Sequence, residues 1–130
     1  MRKSKAETIA YRLAKARQDQ ADAGTLSTVG SWNGAVNRLY YAAFHAVSAL
    51  LLQQDIVVKS HVGAKGLFEL HFIKTGRIDR KWSKFYTRLF ENRNDSDYED
   101  FAVFTADDVL PLIPETDELI GLINALIQEN

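Results

Sequence analysis

The 130-residue chain contains no cysteine, which excludes disulfides, thiolate catalysis and cysteine-ligated zinc or iron–sulfur sites. It has seven glycines, and none falls into a Gly-x-Gly-x-x-Gly, Walker or nucleophile-elbow pattern. It has no apolar run of bilayer length. The longest such stretch, around Tyr40–Leu52, is interrupted by His45 and Ser48 and is too short to span. The basic start Met1-Arg2-Lys3-Ser4-Lys5 runs into a mixed helix rather than an apolar signal core, so a cytoplasmic protein is expected. Histidine is scarce. His61 and His71 stand ten residues apart, and no His-x-x-x-His or Glu-x-x-His pairing occurs, so neither a metal site nor a cofactor is predicted.

A net charge of −1 argues against a protein that coats nucleic acid generally. The charge is nevertheless uneven. Residues 1–90 hold 15 Lys/Arg against six Asp/Glu, whereas residues 91–130 hold one against 11. Either the two segments neutralise each other in the fold, or a basic surface for an anionic partner lies beside an acidic C-terminal helix.

What is present is helical patterning in a chain long enough for one domain with a real core. Ser4-Lys5-Ala6-Glu7 is a capping box, opening a helix to about Ala23 with Ala6, Ile9, Ala10, Leu13 and Ala16 inward. Gly24–Ser31 reads as a turn-rich loop. A second helix, about Trp32 to Gln54, carries the stripe Val36, Leu39, Tyr40, Ala43, Val47, Leu50, Leu51, widened by Tyr41, Phe44 and Leu52. It is either the centre of a bundle or an oligomer interface. Ser60 caps a third helix to about Lys74, with Leu67, Phe68 and Phe72 inward, and Gly76 is a left-handed stop. Asp79 caps a fourth. Thr105-Ala106-Asp107-Asp108 opens the last, where Pro111 and Pro114 should kink or split the pattern Val109, Leu112, Ile113, Ile120, Ile123, Ile127. No strand-like alternation appears. The expected fold is an all-α, five-helix antiparallel up-and-down bundle over residues 1–130, the last helix kinked near Pro111/Pro114.

Arg93 stands out. Trp82, Phe85, Tyr86, Leu89 and Arg93 follow at helical spacing, so a guanidinium occupies the middle of an apolar stripe. A cation there must be paired or line a cleft, because an unpaired buried charge costs several kcal/mol. Asn94, Asp95, Asp97 and Tyr98 follow at once and complete a candidate site. Arg38, beside the buried run of the second helix, is most simply paired with Asp97 or Asp95. His45, within that helix, reads as a hydrogen-bonded core imidazole. For Tyr98, a buried ring with a bonded hydroxyl is the commoner case, against a phosphate-contacting or modified phenol.

Four blocks resemble the HEPN domain, a family named for its occurrence in higher eukaryotes and prokaryotes. Asn37-Arg38-Leu39-Tyr40-Tyr41-Ala42-Ala43-Phe44-His45-Ala46 resembles its R-x-Y-Y-A-x-F-H-A helix, and Lys59-Ser60-His61-Val62-Gly63 its K-S-H-x-G start of a third helix. Lys74-Thr75-Gly76-Arg77-Ile78-Asp79 resembles the following turn, and Arg93-Asn94-Asp95-Ser96-Asp97-Tyr98-Glu99-Asp100-Phe101 its R-x-x-x-D-Y-x-D-F signature. The resemblance implies a five-helix bundle that dimerises and accompanies a minimal nucleotidyltransferase as a toxin–antitoxin pair. It also implies a metal-independent endoribonuclease site of an Arg, a polar follower and a His. Arg93 and Asn94 match the first two. Tyr98 stands where the His is expected, and a phenol with an unperturbed pKa near 10 is a poor general base at neutral pH. The reading that follows is a nucleotide- or RNA-phosphate-binding partner, with Arg93, Asn94 and Arg38 binding and Asp97, Asp95, His45 and His61 in support. Its alternatives are an active ribonuclease, with Tyr98, His45 or His61 replacing the usual His, and a purely structural dimeric assembly module.

Overall fold

Ser4 opens the first helix with a reciprocal cap, its Oγ accepting from the Glu7 N–H at 3.1 Å while the Glu7 carboxylate accepts from the Ser4 N–H at 3.3 Å. The computed structural model describes residues 3–129, so Met1 and Arg2 of the basic start lie outside the described residues. Helix α1 spans Lys5–Thr28 and runs straight through Gly24, five residues beyond the expected end. The small polar residues that suggest a loop serve the helix instead. The hydroxyls of Thr25, Ser27 and Thr28 donate to the carbonyls of Ala21, Ala23 and Thr25 at 3.2, 2.8 and 2.6 Å. The turn comes at Gly30, whose φ of 73° is the left-handed conformation that glycine adopts without a steric penalty.

The inward face of α1 also begins later than its alanines suggest. Ala6 and Ala10 are exposed and Ile9 and Leu13 half-buried, while Ala16, Asp19 and Ala23 are buried where α1 lies on α2. Alanine at both ends of that contact allows the two helices to approach closely.

Helix α2, Trp32–Gln53, packs against α1 and every later helix and is the central helix of the bundle. Val36, Leu39, Tyr40, Ala43, Val47, Leu50 and Leu51 are all buried. Helix α3, His61–Phe68, begins at Ser60, whose Oγ accepts from the Gly63 N–H at 2.8 Å. It continues as one π-helical turn, Glu69–Ile73, closed by the Lys74 N–H on the Glu69 carbonyl at 2.9 Å. Gly76, at φ 78°, ends it.

Helix α4, Arg80–Tyr98, is capped by Asp79, whose Oδ1 accepts from the Lys81 N–H at 2.8 Å, and its stripe Trp82, Phe85, Tyr86, Leu89 is buried as expected. Asn33 at the start of α2 holds the segment that follows. Its side-chain amide donates to the Ala102 carbonyl at 3.0 Å and accepts from the Phe104 N–H at 3.3 Å. Between these anchors Phe101 takes φ 68° and stands 98% exposed.

The last helical arm is split rather than gently kinked. Asp108 accepts from the N–H and the hydroxyl of Thr105 at 2.9 and 3.0 Å to open α5, Ala106–Val109, and α6 runs Leu112–Gln128. Pro111 sits at the break, and Pro114 is the third residue of α6, in the first turn, where its missing N–H has no helical partner to lose. The result is an all-α bundle. Among the described residues no strand occurs and no helix is long and apolar enough to cross a membrane.

Candidate functional site

A chain of polar contacts crosses three helices at one end of the bundle. On α4, Arg93 Nε lies 3.0 Å from Asp97 Oδ2, one turn on, and Arg93 Nη2 donates to the Tyr41 hydroxyl on α2 at 3.2 Å. The Nε contact is an ion pair without the alignment of a hydrogen bond. Asp97 also accepts from the Asn37 amide at 3.2 Å. Asn37 Oδ1 accepts from Arg38 Nε and Nη2 at 3.1 and 2.6 Å, and Arg38 Nη1 donates to Asp19 on α1 at 3.0 Å. The sequence Asp19, Arg38, Asn37, Asp97, Arg93, Tyr41 is thus continuous in space, with two cations and two anions.

Two expectations change here. Arg38 does not reach Asp97 or Asp95. Its partner is Asp19, because α1 covers the α2 face that Arg38 occupies, and Asp97 is already taken by Arg93 and Asn37. Asp95 is exposed and has no side-chain partner among the described residues. Tyr98 is not a buried phenol. It is 71% exposed at the end of α4, with the Arg93 guanidinium 5.5 Å from its ring centroid.

Arg93 itself is where periodicity places it, with its side chain 12% exposed. Besides Tyr98 it lies over the rings of Tyr40 and Tyr41 at 5.7 and 5.5 Å, and Arg38 lies over the Tyr41 ring at 5.0 Å. Asn94 Oδ1 accepts a long 3.4 Å bond from Arg93 Nη1. His45 is half-buried, Nε2 3.5 Å from the second oxygen of Asp19, an oxygen with no hydrogen bond of its own. Burial lowers the His45 pKa below the ordinary 6.5, with Asp19 pulling the other way.

His61, expected in support of the site, lies beside Tyr40 and Tyr41. Its Nδ1 lies 2.8 Å from the Tyr40 hydroxyl, and its ring centroid lies 5.6, 5.7 and 4.5 Å from those of Tyr40, Tyr41 and Phe44. Burial, and then the Arg93 guanidinium, lower its pKa below 6.5. Tyr40 is fully buried, and burial pushes its pKa up to about 12. His71 lies apart, in the π turn.

Sequence reasoning passed over Asp19. The signal was the one that exposes Arg93, since Ala16, Asp19 and Ala23 share one helical face with a charge at its middle. The Tyr40–His61 contact joins residues 21 apart and depends on how α3 enters the bundle.

The model of the HEPN domain family matches residues 9–126. A protein of Thermotoga maritima named "UPF0332 protein" is 35% identical over 125 residues, covering 96% of this chain and 95% of its own. The "UPF0332 protein PH1297" of Pyrococcus horikoshii is 32% identical over 81 residues, 62% of this chain and 57% of its own. A Methanocaldococcus jannaschii protein named "Putative toxin MJ0142" is 37% identical over 65 residues, 50% of this chain and 44% of its own.

Proposed function

Since this chain belongs to the HEPN domain family, we propose that it is a toxin-type member that holds a nucleotide or RNA phosphate at Arg93 and Asn94. In this reading it works as a homodimer beside a minimal nucleotidyltransferase, and it does not cleave RNA efficiently.

The observation that carries the reading is the set of donors Arg93 leaves unspent. A guanidinium has five N–H groups in a fixed fork. Nε faces Asp97, one Nη2–H serves Tyr41, and one Nη1–H makes the long contact to Asn94. One N–H on each terminal nitrogen therefore has no partner among the described residues. Two oxygens of a phosphate match that fork. No histidine follows Arg93 on α4, and a solvent-exposed phenol, Tyr98, stands at the spacing expected of the imidazole that would take a proton from a 2′-hydroxyl.

A second reading has its own observation. Both arginines are already paired with carboxylates, which is what an assembly module with a purely structural polar network would show.

RNA cleavage and RNA binding by the wild type beside Arg93→Gln, with a chelator present, separate these readings. The expected result is no cleavage by either protein and binding lost only in the variant. Cleavage that disappears with Arg93 would establish a metal-independent ribonuclease, and the absence of both activities would leave the assembly module.

A further inference from the structure

We propose that His61 is a second donor to the phosphate held by Arg93, presenting Nε2–H from α3 while Tyr40 fixes its tautomer from within the core. The inference rests on the phosphate reading above and adds to it a ligand residue on another helix.

Tyr40 is the fixed point. Its side chain is fully buried, and its hydroxyl meets Nδ1 of His61 at 2.8 Å. Burial holds Tyr40 protonated well above neutral pH, and burial with the Arg93 charge holds the His61 ring neutral. A neutral imidazole carries one N–H, so the phenol O–H donates to Nδ1 and the ring proton resides on Nε2. The opposite tautomer would turn the Tyr40 O–H to the neighbouring Tyr86 hydroxyl, whose own buried O–H would then have no acceptor, at the cost of an unsatisfied polar group.

His61 and Arg93 flank the same pair of rings. The Tyr40 centroid lies 5.6 Å from the His61 centroid and 5.7 Å from the Arg93 guanidinium carbon, and for Tyr41 the distances are 5.7 and 5.5 Å. Nε2 is the nitrogen on the side of the half-buried ring away from the Tyr40 contact. The chemical consequence is specific. With Nδ1 occupied and Nε2 protonated, His61 has no free lone pair to act as a base, so it strengthens binding of a phosphate without supplying the missing proton acceptor for cleavage.

Tyr40 is a positioning residue in this scheme, and the test reads the tautomer directly. Long-range 1H–15N spectra of the full chain assign the proton to Nδ1 or Nε2 of His61, before and during titration with inorganic phosphate and with a short oligoribonucleotide. The expected result is an Nε2–H tautomer whose resonances move on titration. His61→Gln, whose amide nitrogen stands in for Nε2, should keep most of the affinity, and His61→Asn should weaken it about fivefold, the worth of roughly one hydrogen bond. Tyr40→Phe should leave a mixture of tautomers. A proton on Nδ1 in the wild type overturns the proposal. Phosphate that moves the Arg93 side-chain signals but not those of His61 also overturns it, leaving the Arg93 reading intact. If neither residue responds, both fail.

Discussion

Asp97 holds Arg93 from one turn further along the same helix, Oδ2 to Nε at 3.0 Å, and it does so while also holding Asn37 of α2. The carboxylate therefore sets both the rotamer of the guanidinium and the register between α4 and α2. A double-mutant cycle of Arg93→Gln and Asp97→Asn should give a coupling of about 1 kcal/mol in urea unfolding, above the usual value for exposed pairs because Arg93 is only 12% exposed. Coupling within 0.3 kcal/mol of zero, the ordinary scatter of additive sites, would show that the ion pair contributes nothing to the fold.

Asp19 anchors the other end of the network. Its side chain is 8% exposed, one oxygen taking Arg38 at 3.0 Å and the other facing His45 at 3.5 Å. Asp19→Ala strands a partly buried guanidinium that keeps Asn37 and the Tyr41 ring but no anion, and should cost about 2 kcal/mol, read as a fall of several degrees in melting temperature. A change below about 0.5 kcal/mol would place the site among ordinary surface positions.

Acid should destabilise the protein before its carboxylates titrate. His45 faces Asp19, Lys15, Arg12 and Arg38, and His61 faces Arg93, and both have folded pKa values below the ordinary 6.5. Below pH 6.5 the unfolded chain takes up protons that the folded chain refuses, so stability falls as pH drops from 6.5 toward the folded values. Glu69, held below its ordinary 4.5 by Ser83 and Arg80, adds its loss only in a lower window. Denaturant midpoints between pH 7.5 and 5 should decline, and His61→Gln together with His45→Gln should flatten the slope. A flat wild-type profile would contradict the assignment.

Phe101 takes φ 68° and 98% exposure together, both unfavourable for a large aromatic in an isolated chain. Tyr98 and Val103 beside it are also exposed, at 71% and 78%. With the proposed homodimer joined through this patch, Phe101→Gly should shift light-scattering mass from two chains to one. It should raise monomer stability by about 1 kcal/mol through relief of backbone strain. An unchanged mass would remove the patch from the interface.

The legible parts of the fold were those in which periodicity and packing agree. The α4 stripe appears in the sequence because each of its members faces the core, and the charge within it is visible as an interruption. The caps at Ser4, Ser60 and Asp79 are local and were legible for the same reason. Gly24 misled because glycine is read as a stop, although one helical glycine costs only about 1 kcal/mol, which the packing of Ala16 and Ala23 on α2 outweighs. The partner of Arg38 was not legible, because abundance of acids near residue 95 says nothing about which helix covers α2 at residue 38. Tyr98 was misjudged because α4 ends there, and the chain leaves toward Asn33 without covering its ring.

The single π turn at Glu69–Ile73 has one residue more than a regular α-turn would use. The wide turn takes up that residue locally, so His61 keeps toward the buried Phe72 and Ile73 the angular relation of a continuous helix. Removing one residue between 69 and 73 would let the segment close as α-helix, with no side chain of the site altered. It would therefore leave His61 on the face that meets Tyr40. The wide turn thus makes this short stretch tolerant of length, and a homologous chain one residue shorter there would reach the same tyrosine with its histidine at the equivalent place on the helix.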